Sequence, residues 1–287
     1  MRQAALPFRG LGLATLGLLG CFTPTPLAPG LGGSVGWPHH GVQTGAVELP
    51  ESGPGFVRYR RTGGYYWGQP ALVRAIQAAT LEVEQALPGG APLSVGDLSA
   101  REGGKISRHY SHRSGRDVDL LWYVTTPEGA SLENAHFVRI GSDGLGQAPG
   151  AEYVRLDVAR QWLLIKSLLR STEIEVQWLY ASSAVEALLI QHALATGDDL
   201  NLIWRAQNVM LEPADSLPHD DHLHLRVACS PDAGVQGCEG GGVYWKWLPS
   251  PTALDNDLLA DSDLLADSDL LADSELGDSD LLGRGPL

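Results

Sequence analysis

Between residues 47 and 250 the apolar positions recur with two periods. From Pro70 onward, Leu72, Ile76, Val83 and Leu87 share one face of a 3.6-residue repeat, and Pro70 suits a first helical position. The spacing therefore predicts a helix there. Asp157 can cap a second helix through Leu169, and Ser182 or Ser183 a third that ends before Gly197. Asp198 can cap a fourth, to about Leu211. Residues 93–98 and 116–124 read as strands. Residues 173–178 alternate, with Ile174, Val176 and Trp178 on one side, as a half-buried strand does. Residues 221–228 form a final strand. Helices and strands are interspersed without a regular βαβ period. The expected class is α+β, a single domain with a mostly antiparallel central sheet flanked by helices. A stretch of this length can bury a sizeable core.

The two ends break the pattern. Residues 1–21 read as an export signal, with Arg2 and Arg9 ahead of a short apolar run from Leu11 to Leu19. That run is too short to span a bilayer stably. It ends in Leu18-Leu19-Gly20-Cys21, which resembles a bacterial lipobox, so Cys21 is the expected lipidation site and would anchor the chain to a membrane surface. Residues 22–46 are rich in Pro and Gly and read as a linker with an irregular arm. Gly32-Gly33-Ser34-Val35-Gly36 matches the G-x-S-x-G pattern of serine hydrolases, but lacks the strand–turn–helix context that pattern needs. Residues 251–287 form an acidic low-complexity tail. From 255 to 282 it repeats every six residues as Asp-Leu-Leu-Ala-Asp-Ser, a period that makes neither a helix face nor a strand face. Its acidic density predicts disorder. No EF-hand loop is present in it.

Charge sharpens this division. The chain of 287 residues has a formal net charge of −14, of which the segment from Asp255 onward, with ten acidic residues and one arginine, holds −9. The body is only mildly acidic and shows no basic footprint for a nucleic acid. No stretch after residue 25 has the apolar length of a membrane-spanning helix, which excludes a multi-pass membrane protein. Three cysteines are too few for a small disulfide-built scaffold. Cys229 and Cys238 stand nine apart across Pro231 and Gly234, and suit a disulfide loop in an exported protein. By loop entropy such a bridge is worth roughly 2–3 kcal/mol.

Five of the nine histidines fall in two short segments, 109–119 and 219–224. In an extended strand, residues two apart point to the same side, so His222 and His224 project together, as do Asp117 and Asp119. His-x-His on one strand, with a His and an Asp from another segment, makes a workable metal set. Zinc accepts imidazole nitrogen and carboxylate oxygen, and a catalytic zinc keeps three protein ligands and an open position. His112, Asp119 and His224 could supply three, leaving His222 beside the activated water as a proton acceptor. Spacing alone does not settle which His is a ligand. The helical H-E-x-x-H motif is absent. Arg116 and Arg226 flank the segments, either as partners for substrate carboxylates or as structural ion-pair partners. Tyr65, Tyr66 and Trp67 could line a groove, although packing is the commoner role of such a cluster. Trp245 and Trp247 alternate as in a packed strand, and Gly240 to Gly242 read as a loop.

Ser111-His112-Arg113-Ser114-Gly115-Arg116-Asp117-Val118-Asp119 resembles the S-H-x-x-G-x-D-V-D segment of penicillin-insensitive murein endopeptidases. His219-Asp220-Asp221-His222-Leu223-His224-Leu225-Arg226 resembles that family's H-x-x-H-x-H-x-R. Together they are similar to the motif pair of the wider group that contains lysostaphin-type and D-Ala-D-Ala metallopeptidases and the hedgehog domain. Leu49-Pro50, Tyr65-Tyr66-Trp67-Gly68 and Gly96-Asp97-Leu98 fit the same family pattern in order, so the resemblance spans about residues 34–247.

The resemblance implies a zinc (Zn2+) enzyme. His112, Asp119 and His224 match the family's metal ligands, and His222 its catalytic histidine. His219 matches a histidine that supports the transition state, and His109 an auxiliary one. The implied substrate is peptidoglycan, cut at the D-alanyl–meso-diaminopimelyl cross-link between stem peptides. The implied location is the periplasm; the lipid anchor through Cys21, to the outer membrane, is read from the lipobox and not from the resemblance. A D,D-carboxypeptidase and a catalytically silent, metal-containing wall-binding protein are the competing readings. His222 discriminates, because a silent protein needs no base beside an open metal position. The lipobox and the acidic tail depart from the family pattern and bear on localisation and partners, not on the chemistry.

Overall fold

A computed structural model describes residues 33–60, 63–150, 152–214 and 217–240. The signal-like segment with Cys21, the acidic repeat, and Trp245 and Trp247 lie outside the described residues.

The fold is α+β and is organised around one strand. His222–Val227 runs antiparallel to Asp117–Leu121 on one side and to Val176–Tyr180 on the other. Parallel Met210–Leu211 follows Val176–Tyr180 at that edge. Beyond Asp117–Leu121 come Leu93–Val95, Phe56–Arg58 and Ser52–Gly53, completing a seven-stranded sheet in which most neighbours are antiparallel. Alternation gives the central strands two unlike faces. Val118, Leu120, Leu223 and Leu225 point into the core and are fully buried. Asp117, Asp119, His222, His224 and Arg226 occupy the positions between them. Register places His224 opposite Asp119, and Arg226 opposite Asp117.

Four helices cover the apolar side: α1 (Pro70–Ala86), α2 (Val158–Arg170), α3 (Ser183–Ala195) and α4 (Leu200–Val209). A short α5 (Pro231–Val235) follows the last strand. Helix α1 starts at Pro70, which has no N–H to leave unsatisfied, and buries Leu72, Ile76, Ala79 and Val83 along one stripe. Asp157 caps α2 by accepting from Arg160 N at 3.1 Å, and Ser182 caps α3 through Val185 N. Helix α4 is capped by Asp199, not by Asp198 as its sequence suggests, since Asp199 accepts from Asn201 N at 2.9 Å. Asp198 instead receives Trp162 Nε1 at 2.8 Å and Lys166 Nζ at 2.7 Å, tying the α3–α4 connection to α2. The helix also stops at Val209, and Met210 and Leu211 become the edge strand.

Two further expectations change. Residues 116–124 do not form one strand. Trp122 turns away after Leu121, its indole donating to Asp220 O at 3.1 Å, and Val124–Thr125 joins a separate four-stranded sheet. The alternation of residues 173–178 is also interrupted. A bulge between Val176 and Trp178 lets Val176 and Leu179 both face the core. Trp178 and Tyr180 therefore stand on the polar face, where Tyr180 lies opposite His224.

Residues 33–44, part of the Pro/Gly-rich arm, form a hairpin of Gly33–Trp37 and His40–Thr44. Ser34 of the hydrolase-like pattern is a buried strand residue whose hydroxyl accepts from Arg116 Nε at 3.1 Å. The far end of the domain closes on this hairpin: Gly36 N donates to Gly237 O at 2.7 Å, and Gly36 bridges Cys238, which is disulfide-bonded to Cys229. Tyr66 packs in the core, its hydroxyl accepting from Arg60 N, and Trp67 pairs in a short strand beneath the Arg101 guanidinium. Tyr66 and Trp67 are thus engaged in packing.

Candidate metal centre

The polar face of the sheet is roofed by the loop that carries His109 and His112. Gly115 lets this loop descend onto the sheet. Its φ is +74°, and a Cβ there would collide with the Gln43 side chain of the hairpin. Among the described residues, the non-glycine positions with positive φ are Arg108, His112 and His219, all in or beside the two histidine segments. Strain of this kind costs about 1–3 kcal/mol per residue and gathers where a site demands a particular side-chain direction.

Asp119 is the hub. Its Oδ1 lies 3.3 Å from His112 Nε2, 3.3 Å from His224 Nδ1 and 3.3 Å from His222 Nε2. Each imidazole is aimed by its other nitrogen. His112 Nδ1 donates to Leu98 O at 2.7 Å, His224 Nε2 to Asp117 Oδ1 at 2.9 Å, and His222 Nδ1 to Asp221 Oδ1 at 2.6 Å. These bonds select the tautomers in which all three remaining nitrogens present lone pairs to one point. His109 sits behind, with Nε2 at 3.2 Å from Asp97 Oδ2 and Nδ1 at 3.7 Å from Asp119 Oδ2. His219 is held through Nδ1 to Leu217 O at 2.8 Å, with its ring 5.0 Å from that of His222. The structure thus brings together all six residues singled out from sequence.

His112 Nε2 and Asp119 Oδ1 are buried and have no hydrogen-bond partner. Orphaned buried polar atoms are costly unless something satisfies them. Here both point at the same place, amid nitrogen and carboxylate donors, and the residues fit a metal ion. Charge agrees. Burial works against ionising Asp117 and Asp119, yet Arg226 beside the first and the His112 and His222 imidazoles beside the second hold both well below the usual carboxylate range. Burial likewise opposes charge on His222, but with no cation beside them Asp119 and Asp221 outweigh it and raise its pKa to about 10; a metal ion held by Asp119 would offset that pull and leave Nε2 free to accept a proton. The centre is a strong sink for positive charge. His219 is pushed the other way, to about 4, by burial and by the neighbouring His224 and His222.

Several participants escaped the sequence. Asp221, inside the second motif, and Asp97, 12 residues before His109, orient histidines in roles the sequence did not reveal, Tyr180 enters because of the strand bulge, and the Phe137 ring stands edge-on to His222 at 5.3 Å. The two flanking arginines prove structural. Arg116 is 2% exposed and spans Ser34 Oγ, Val227 O and Glu239 O. Arg226 binds Asp117 Oδ1 through Nε at 2.6 Å and the Tyr180 hydroxyl through Nη1 at 3.1 Å.

A mostly antiparallel sheet that gathers histidines and a buried aspartate from two segments defines a candidate metallohydrolase site. The model of the penicillin-insensitive murein endopeptidase family matches residues 34–242, and the chain belongs to that family. Relatives bearing the family name include one from Klebsiella pneumoniae subsp. pneumoniae, 27% identical over 237 residues, covering 79% of each chain. Another, from Salmonella newport, is 26% identical over 210 residues, covering 71% of this chain and 69% of its own. Among the described residues no helix is long and apolar enough to cross a membrane.

Proposed function

We propose that this chain is a zinc-dependent peptidoglycan endopeptidase that hydrolyses the D-alanyl–meso-diaminopimelyl cross-link between stem peptides. The observation that carries this reading is the 3.3 Å spacing of His112 Nε2 and of His224 Nδ1 from Asp119 Oδ1, two of the three atoms being otherwise unsatisfied. In a tetrahedral zinc site with ligands at about 2.0–2.1 Å, neighbouring ligand atoms lie about 3.3–3.4 Å apart. Imidazole and carboxylate donors suit zinc. His112, Asp119 and His224 are the ligands in this reading.

Zinc, when bound, supplies the Lewis acidity that activates a water and polarises the scissile carbonyl. His222 takes a proton from the attacking water at Nε2 and returns it to the leaving amine. Asp221, hydrogen-bonded to Nδ1, holds that ring in the tautomer and direction the transfer needs. His219, held through Nδ1 to Leu217 O with its ring 5.0 Å from that of His222, is the group that supports the transition state in this reading. His109, fixed by Asp97, is an auxiliary partner of Asp119. No serine is acylated in this scheme, so a β-lactam finds no nucleophile to trap.

The periplasm is the proposed location, with Cys21 as the lipid anchor. The signal-like first segment and the Cys229–Cys238 disulfide, which suits an oxidising compartment, support it.

The test is to incubate the purified protein with cross-linked, diaminopimelate-containing sacculi and read the released muropeptides by mass spectrometry, beside His222→Ala and chelator-treated samples. Conversion of dimers to tetrapeptide monomers, lost in both controls, is expected. Loss of terminal D-Ala with dimers intact would identify a carboxypeptidase. No change, with one zinc bound per chain, would identify a silent wall-binding protein.

A further inference from the structure

An open groove of about 630 Å³ is lined by Phe137, Arg139, Gln147, Ala148 and Pro149. Phe137 connects it to the metal centre, its ring standing edge-on to both His222 at 5.3 Å and Tyr59 at 5.1 Å. Alternation along this stretch buries Val138 and Ile140 and turns Phe137 and Arg139 outward. The wall is fixed to the catalytic segment: Ile140 N donates to Asp220 O at 2.8 Å, and the same carbonyl accepts from Trp122 Nε1. The groove therefore keeps a set position relative to His219 and His222.

Arg139 differs from the two arginines that flank the motifs. Its side chain is 74% exposed, and its ion pair is a loose 3.7 Å approach to Asp220. Arg116 and Arg226 are committed to carbonyls and to Asp117, so neither can turn to a ligand. An exposed guanidinium that lines the same groove as Phe137, the ring that touches His222, is suited to bidentate capture of a carboxylate.

We propose that this groove seats one stem-peptide strand and that Arg139 is the specificity-determining residue that recognises the free carboxylate of its diaminopimelate. The inference rests on the peptidoglycan reading above. It assigns the groove an anionic, peptidic occupant, with Phe137 packing against the peptide beside the scissile bond.

The test compares two tetrapeptide probes, one with the diaminopimelate carboxylate free and one with it amidated, on the whole protein. Calorimetric affinities of wild type, Arg139→Gln and Arg139→Lys are measured alongside kcat and KM on the corresponding cross-linked dimers. Wild type is expected to favour the free acid by about tenfold or more, the effect of one charge-assisted contact. Arg139→Gln should bind both probes equally, at the affinity of the amide, with KM raised and kcat little changed. Arg139→Lys should fall between. A wild type indifferent to amidation, an Arg139→Gln protein that still discriminates, or no binding of either probe would overturn the assignment. Binding is read without turnover, so a wild type that binds but cuts no dimer would instead sink the endopeptidase reading.

Discussion

Asp117 Oδ1 accepts from His224 Nε2 at 2.9 Å, and the carboxylate is completely buried. The same oxygen accepts from Arg226 Nε at 2.6 Å, while Oδ2 lies 3.3 Å from His112 N. One side chain thus fixes the tautomer of one imidazole, helps hold the backbone of a second and neutralises an arginine. Replacing it touches no proposed ligand directly, yet Asp117→Asn should weaken zinc binding by about 10–100-fold, as loss of a ligand's supporting partner does. Competition with a chromophoric chelator measures this. An unchanged affinity would show that His224 is oriented without Asp117.

The roles of His222 and His224 can be separated by metal content. Both present a nitrogen 3.3 Å from Asp119 Oδ1. With His222 as base, His222→Ala should keep one zinc per chain and lose cleavage, whereas His224→Ala should lose both. Mass spectrometry under native conditions counts the metal. If His222→Ala emerges without zinc, His222 is a fourth ligand, and the base must be sought elsewhere.

The backbone at His112 offers a stability test independent of catalysis. With φ at +62°, this residue sits where a Cβ is unfavourable. His112→Ala and His112→Gly remove nearly the same side-chain volume, but only glycine relieves the strain. The glycine variant should be the more stable by about 1 kcal/mol, or roughly 2–4 °C in melting temperature for a domain of this size. Equal melting temperatures would mean that the loop relaxes once the imidazole is gone.

Asp198 predicts an acid-side feature of stability. Burial alone would raise its pKa, but Lys166 and Trp162 outweigh it and bring it down to about 2. Because the folded value lies below the unfolded value of about 3.9, the contribution is fully present above that pH. It declines as pH falls through about 2. Asp198→Asn should lower stability at neutral pH and approach wild type below pH 3. Denaturant titrations at pH 7, 4 and 2.5 follow the convergence, and parallel curves would assign the stability to other contacts.

These predictions draw on both the legible and the illegible parts of the sequence. The ligand-type residues could be read because a strand exposes every second side chain, so His222 and His224, or Asp117 and Asp119, necessarily share a side. Periodicity likewise revealed α1 and the caps of α2 and α3. It failed at residue 177, where one extra residue in a bulge moves Tyr180 onto the active face and Leu179 into the core. A bulge leaves no mark in the pattern of apolar residues. Phe137 and Arg139 were hidden for another reason. They come from segments remote in the chain, and only tertiary folding sets them beside the histidines. Arg116 and Arg226 showed the reverse limit, since adjacency to a motif does not tell a ligand-binding guanidinium from one that holds the fold together.

The strand His222–Val227 is central in the sheet and last among its strands in the chain. Synthesis order therefore runs against spatial order. A growing polypeptide can lay down Asp117–Leu121 and Val176–Tyr180 early, but the gap between them stays open until the strand that fills it arrives. Any product ending before residue 222 carries His112 and Asp119 without the two imidazoles that face them, and leaves two sheet edges bare. The same insertion that completes the hydrogen-bonded ladder completes the donor set. Under the function proposed here, a cell could not release a half-made enzyme able to cut its own wall, because folding and arming are one event.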